Sequence, residues 1–88
     1  MYTLEERKLA AWSKATPVVG YDPALVCQDV YGWYIQWSDY GDRNCDYGWE
    51  IDHHQPTVFG GGDDVANLRA LHWRNNASLG ALIANIRG

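Results

Sequence analysis

Long apolar runs, basic residues and cysteines are all scarce in this sequence. No stretch of the 88-residue chain approaches the roughly 20 apolar residues that a membrane-spanning helix needs, so we expect no membrane partner. Residues 1–8 lack the basic start and apolar run of a signal peptide, so we expect a cytoplasmic protein. The two cysteines, Cys27 and Cys45, form no C-x-x-C motif and are expected to be free core residues rather than a disulfide.

The charge balance is acidic. Seven Lys and Arg residues stand against eleven Asp and Glu residues, which gives a formal net charge of −4. Tight nucleic-acid binding usually depends on a basic patch, because neutralisation of phosphates supplies much of the affinity. This chain can form at most a small local patch. The composition therefore argues against tight, independent binding of nucleic acid.

Aromatic residues, in contrast, are abundant, with five Trp, six Tyr and one Phe. The length allows one domain, residues 1–88. A domain this small buries little surface, and each aromatic ring can bury roughly 150–250 Å². The tryptophans could instead stack on bases, but the small size favours a core position for four of them: Trp33, Trp37, Trp49 and Trp73.

The first half of the chain predicts two helices followed by a strand. Thr3 and Glu6 have the spacing of a capping box, which predicts a helix over about 4–15. An Asp-Pro pair at the start of 22–28 predicts a second, short helix. Apolar and polar residues alternate over 30–37, which predicts a strand with an aromatic face.

The second half predicts strand, long loop, strand and helix. The strands are expected over 49–53 and 68–72, with a Gly-rich loop over 56–66 between them. A final helix is expected to begin at Asn75 or Asn76, because the apolar residues that follow recur at helical spacing. This order of elements matters for the chemistry below.

The same half carries an ordered motif. From Tyr47 the sequence reads Y-G-W-E-I-D-H-H-Q-P, then G-G-G-D-D-V-A-N-L-R-A-L-H-W-R-N-N-A-S-L-G. It resembles the HNH endonuclease family, whose pattern is D-H-x-x-P, a Gly-rich loop, N-L-x-x-L, and His or Asn near the start of a helix. Residues 39–41 and 47–49 look like the segment that precedes the motif in small bacterial and phage members. The motif core covers about 47–88.

The resemblance implies a fold, an activity and four site residues. The fold is α+β, with a ββα-metal (His-Me finger) core, N-terminal helices and an additional aromatic-rich strand. The activity is metal-dependent hydrolysis of phosphodiester bonds, in DNA rather than RNA. Asp52 matches the first metal ligand and His53 the general base. Asn67 matches the residue that pins the loop and orients the base, and Asn76 matches the second metal ligand.

The chemistry of these residue types agrees with those roles. Hydrolysis needs an activated water and a neutralised leaving oxygen, and the ordinary pKa of histidine suits the first task. The hard oxygen ligands of Asp52 and Asn76 favour Mg²⁺ or Mn²⁺, with Ni²⁺ or Zn²⁺ as alternatives. His54 is adjacent to His53, and only one of them can be the base, because adjacent strand residues point to opposite sides. The D-H-x-x-P spacing favours His53, which leaves His54 to support the site, contact phosphate or lie exposed.

Two further residues have alternative interpretations. Glu50 precedes Asp52 by two positions, so it either supports the metal site or is an exposed strand carboxylate. His72 could be a ligand, but it stands where relatives with a structural zinc often carry cysteine, and Asn75 follows instead of a second cysteine. A structural zinc is therefore not expected, and a stacked or solvent-facing His72 is favoured.

The sequence departs from the family pattern at Leu79, where members often carry a lysine close to the scissile phosphate. This leaves Arg43, Arg69 and Arg74 as the basic residues near the motif, and we expect them to contact phosphate. The missing lysine and the acidic charge keep an alternative open. In that alternative the chain is a catalytically weak or inactive HNH-fold binding module that acts through a protein partner.

Overall fold

The computed structural model describes residues 2–55 and 64–87, with side chains described as far as residue 82. Its helices and strands are α1 (Leu4–Trp12), β1 (Thr16–Pro17), β2 (Val26–Gln28), β3 (Tyr34–Gln36), β4 (Trp49–His53), β5 (Leu68–His72) and α2 (Trp73–Arg87). Short 3-10 turns cover Trp37–Asp39 and Val65–Asn67. The described elements form an α+β arrangement, as the sequence predicts. Most of the predicted Gly-rich loop, residues 56–63, lies outside the described residues.

The strands form two small antiparallel sheets. One has the order β1-β2-β3, and the other is the β4–β5 pair. Both strands of the pair have their predicted bounds, 49–53 and 68–72. Helix α2 follows β5 directly, two residues earlier than the first predicted start, Asn75. The C-terminal half is therefore a strand pair that continues immediately into a helix.

The first helix begins as predicted and ends early. The Thr3 hydroxyl accepts from the Glu6 amide at 3.1 Å, and the Glu6 carboxylate accepts from the Thr3 amide at 2.9 Å. Both halves of the capping box are thus formed, and the hydrogen bonds to Thr3 lower the pKa of Glu6. The helix ends at Trp12, three residues before its predicted end.

The predicted helix over 22–28 is wrong. The Asp22 carboxylate accepts from the Ala24 amide, which makes a local turn instead of a helix cap. The chain then enters β2, which pairs with β3 along its whole length. Burial explains why this segment forms a strand and not a helix. The central residues of the pairing, Cys27 and Ile35, are only 2% and 0% exposed.

The predicted strand over 30–37 is shortened to β3, Tyr34–Gln36. Gly32 adopts a φ of 83°, a conformation that favours glycine and interrupts an extended strand. The turn brings the Gly32 amide to the Asp29 carbonyl at 2.9 Å. The alternating pattern therefore predicts a strand that is too long, because the segment begins with a tight turn.

Tryptophans build the core between α1 and the β4–β5 pair. Trp49 is fully buried, and its ring centroid lies 5.0 Å from that of Trp12 and 5.5 Å from that of Trp37. The prediction of a core position is confirmed for Trp49 and wrong for Trp33, which is 44% exposed. Trp73 is partly buried. Neither described helix is long and apolar enough to cross a membrane.

Candidate functional site

One face of the β4–β5 pair collects the polar residues of the motif. Glu50 lies opposite Leu71 and Asp52 opposite Arg69, and opposed residues of an antiparallel pair share a face. Helix α2 reaches the same face, because the side-chain nitrogen Nδ2 of Asn76 donates to Oε1 of Glu50 at 2.8 Å. The structure thus brings the two carboxylates and the helix amide to one side of the strand pair.

Asp52 is held by an arginine. Nε of Arg69 donates to Oδ2 of Asp52 at 2.9 Å, and both side chains are largely buried, 17% and 18% exposed. Nη1 of the same arginine lies 3.3 Å from Nδ1 of His54. Asp52, Arg69 and His54 therefore form one cluster, in which a fixed positive charge already neutralises the carboxylate.

Glu50 is held by a second arginine. Nε and Nη2 of Arg43 donate to its two carboxylate oxygens at 2.7 and 2.8 Å. The hydrogen bond from Arg43 is the main cause that lowers the pKa of Glu50, and Asn76 adds to it. With 18% of its side chain exposed, Glu50 is not an open strand carboxylate; it positions the amide of Asn76.

Gly48 allows the loop that carries Arg43 to approach β4. A Cβ atom at Gly48 would overlap the carbonyl oxygen of Asp42, so only glycine fits. The residue after Asp42 is the arginine that pairs with Glu50. The Y-G-W segment before the motif thus has a physical function, which is to dock this loop beside the polar face.

Asn67 fixes the chain where it leaves β4. Its Oδ1 accepts from the Gln55 amide at 2.9 Å, and its Nδ2 donates to the Gln55 carbonyl at 3.0 Å. Its own carbonyl accepts from the His54 amide at 2.7 Å. Strand alternation places His54 on the side of Asp52 and His53 on the opposite side. The backbone around both histidines is therefore anchored, while their side chains leave in different directions.

The donor set fits a hard divalent cation only in part. Asp52, Glu50 and the Asn76 amide offer oxygen ligands on one face. In the part of the chain that the structure describes, no three His, Cys, Asp or Glu side chains are grouped closely enough to hold a metal ion. Mg²⁺ commonly binds through one or two carboxylates and completes its shell with water and phosphate oxygens, so this is a workable set. Arg69 and a cation would compete for the Asp52 carboxylate.

His72 is a buried, stacked residue. It is 2% exposed, and its ring lies 4.9 Å from Trp33 and 5.8 Å from Trp73, centroid to centroid. Nδ1 accepts from the Arg74 amide at 3.1 Å, so Nε2 carries the proton and donates to the Asp46 carbonyl at 2.6 Å. The stacked alternative is therefore right and the solvent-facing one wrong. Both ring nitrogens are engaged, which argues against a metal-ligand role.

Asp29 is a central residue that the sequence reasoning missed. It is 2% exposed, and its Oδ1 accepts from the amides of Tyr31 and Trp33. Its Oδ2 accepts from the His72 amide at 3.0 Å and from Nδ2 of Asn75 at 2.8 Å. One carboxylate thus joins the β2–β3 hairpin to the first turn of α2. The D-V-Y-G run could have indicated an Asx turn, but no local signal predicts the second pair of bonds.

The three arginines near the motif have different surroundings. Arg43 and Arg69 pair with the two carboxylates of β4. Arg74 is exposed, and its guanidinium carbon lies 4.7 Å from the centroid of the Trp73 ring. Arg74 is therefore the member of this group that is best placed to meet an outside anion.

Comparisons with known proteins identify no relative. No family model, no curated protein and no solved structure matches the chain. The function must therefore be inferred from the geometry of the site and from the motif in the sequence.

Proposed function

We propose that this chain is a metal-dependent endonuclease of the HNH type, in which β4, β5 and α2 form a ββα-metal core. One observation carries the proposal. The strand pair continues directly into a helix, and its polar face holds Asp52, Glu50 and Asn76 together. These residues come from the two ends of the motif, which are far apart in sequence. Their meeting on one face supports a role as a shared site.

In the proposed reaction, a histidine at the end of β4 takes a proton from a water that attacks the phosphorus in line with the leaving oxygen. The motif assigns this role to His53, whose side chain must turn at the strand end from the opposite face to reach that water. A divalent cation, when bound to Asp52 and Asn76, supplies positive charge for the phosphate and the leaving oxygen. Asn67 holds the backbone just after the histidines, which keeps the base in place. His54 contacts Arg69 and lies on the side of Asp52, so it is the competing candidate for the base.

Arg69 has two roles in this account. It neutralises Asp52 in the structure, and if a cation took its place on that carboxylate, the guanidinium would be available to pair with a substrate phosphate. Both roles use the same guanidinium group, which can form paired hydrogen bonds with carboxylate or phosphate. The motif resemblance favours DNA over RNA as the substrate.

A plasmid-nicking assay tests the proposal. Purified protein is incubated with supercoiled plasmid in EDTA, Mg²⁺, Mn²⁺, Ni²⁺ or Zn²⁺, and Asp52→Asn is run beside the wild type. Nicking by the wild type with a metal, absent in EDTA and in Asp52→Asn, is the expected result. Asp22→Asn is the matched control, because Asp22 lies on an exposed turn away from the strand pair. Nicking that persists in EDTA would overturn the metal-dependent mechanism.

A second candidate function is a non-catalytic module that acts through a protein partner. The observation that favours it is the pairing of both site carboxylates with arginines, in a chain with a net charge of −4. Such pairs neutralise a site that a nuclease must leave open to a cation. Protein that binds Mn²⁺ but nicks neither duplex DNA, single-stranded DNA nor RNA would favour this function.

A further inference from the structure

An open depression lies beside the C-terminal end of β5, the end that is farther from Asp52. Its volume is about 440 Å³, and its lining includes Trp33, Tyr34, Asp46, Tyr47, His72 and Arg74. Strand β5 runs from Arg69, opposite Asp52, to His72 in this lining. Three residues of strand span about 10 Å. His72 and Arg69 belong to opposite faces of the strand pair, so a single nucleic-acid strand that contacts Asp52 and the depression must cross the end of the pair.

The aromatic residues of the depression are open to solvent. Trp33, Tyr34 and Tyr47 are 44%, 46% and 48% exposed, although aromatic rings of this size normally contribute to a core. Tyr34 and Tyr47 also line an adjoining depression of about 240 Å³, together with Tyr21, which is 58% exposed. The exposed rings thus form a continuous tract and do not occur singly.

Support beneath the tract is rigid. The Trp33 ring packs on His72, whose ring packs on Trp73, and both nitrogens of His72 are hydrogen-bonded. The buried Asp29 carboxylate accepts from the Trp33 amide at 2.9 Å. The indole of Trp33 is therefore held in place before any ligand arrives, which reduces the entropy lost on binding.

Arg74 supplies the positive charge of the lining, and Asp46 carries the negative one. Arg74 lines the depression with its guanidinium carbon 4.7 Å from the centroid of the Trp73 ring, whereas Arg43 and Arg69 each pair with a carboxylate of β4. Aromatic faces beside a guanidinium group suit a flat base that carries a phosphate. A peptide without an acidic group would meet the rings but would leave the arginine without a partner.

We infer that this depression is a subsite for an unpaired nucleobase of the substrate, with its phosphate on Arg74. This inference rests on the proposed nuclease function and specifies its substrate class. A base inside a duplex has both faces covered by its neighbours, so it cannot stack on Tyr34 or Trp33 without leaving the helix. The protein should therefore prefer single-stranded or unpaired segments near the bond that it cuts.

A binding assay in EDTA tests the subsite without depending on cleavage. Anisotropy of a short fluorescein-labelled oligothymidylate is compared with that of an abasic strand of equal length and of a duplex. The wild type should bind oligothymidylate at least about fivefold more tightly than the abasic strand, since stacking on an aromatic side chain gives an effect of this order. Tyr34→Ala and Arg74→Ala should each weaken binding at least about fivefold. Tyr2→Ala, an equally exposed tyrosine elsewhere, should leave the affinity unchanged.

The outcomes separate this inference from the proposed function. Equal affinity for the abasic strand, or an unchanged affinity of Tyr34→Ala, would overturn the subsite even if plasmid is nicked. Base-dependent binding without any nicking would keep the subsite and overturn the nuclease. Absence of binding to all three probes would overturn the subsite. Thermal unfolding of each variant shows that it is folded.

Discussion

Nε of Arg69 lies 2.9 Å from Oδ2 of Asp52, directly across the β4–β5 pair. The residue that matches the first metal ligand is thus paired with a residue expected to contact phosphate. A carboxylate cannot give the same oxygen fully to an arginine and to a cation. In the proposed function, the ion pair therefore defines the site in the absence of metal and substrate.

Removing the Arg69 guanidinium, which competes for the Asp52 carboxylate, should strengthen the binding of a divalent metal ion. Arg69→Gln is expected to bind Mn²⁺ at least about fivefold more tightly than the wild type, which corresponds to about 1 kcal/mol of repulsion relieved between nearby charges. Isothermal titration calorimetry without substrate measures the change. Arg74→Gln is the matched control, because Arg74 lies over Trp73 and away from the carboxylates. An affinity of Arg69→Gln equal to or below that of wild type would show that Asp52 is not a ligand.

Replacement of Asp29 should affect stability more than that of any exposed carboxylate. Asp29→Ala leaves four donors without their acceptor in a buried position, and the expected loss is about 3 kcal/mol or more. For a domain of this size, that lowers the melting temperature by more than about 10 °C. Asp22→Ala, which removes one exposed hydrogen bond, should change it far less. A similar melting temperature for the two variants would contradict the role of Asp29 as the link between hairpin and helix.

The Glu50–Arg43 pair predicts a pH dependence of stability. Hydrogen bonds from Arg43 hold the pKa of Glu50 below its ordinary value of 4.5 in the folded state. The folded state therefore gains stability from this pair above that value, and loses it as the pH falls through the folded pKa. Urea unfolding of Glu50→Gln should show a weaker loss of stability on acidification than the wild type. Curves with the same acid dependence would show that the pair does not contribute.

Cys45 should be an unreactive thiol despite being only partly buried. Its Sγ donates to Oδ2 of Asp42 at 3.0 Å, and this hydrogen bond is the main cause that raises its pKa to about 11. At pH 8 only about one thiol in a thousand is then ionised and reactive. Alkylation by iodoacetamide, followed by peptide mass spectrometry, should be slow in the wild type and clearly faster in Asp42→Asn. Asp46→Asn should have a smaller effect, and equal rates in all three proteins would contradict the assignment.

Local signals in the sequence predicted the elements that depend on neighbouring residues. The capping box of Thr3 and Glu6 formed, and the bounds of β4 and β5 agreed with their alternating and apolar patterns. The helix predicted after Asp22 failed, because pairing of β2 with β3 buries Cys27 and Ile35. The stability gained from this burial depends on residues of β3, which lie outside the segment that predicts the helix.

In the candidate site, too, the sequence motif predicts some features, whereas contacts between residues distant in sequence are not predicted. The motif order predicted that Asp52 and Asn76 belong to one region, and the structure brings Asn76 to Glu50 on the face of Asp52. The ion pair with Arg69 could not be predicted without the strand register. The contact of Asp29 with His72 joins residues 43 positions apart, and no sequence pattern carries it.

The most direct test of the account is the rate of Mn²⁺-dependent plasmid nicking by the wild type, His53→Ala and His54→Ala. The account predicts that the wild type nicks and that His53→Ala loses at least about a hundredfold in rate, because a general base typically contributes that much. Mn²⁺ affinity should be retained in His53→Ala, and His54→Ala should lose far less activity. No nicking by the wild type with any metal would contradict the nuclease, and a loss confined to His54→Ala would move the base to the residue beside Arg69.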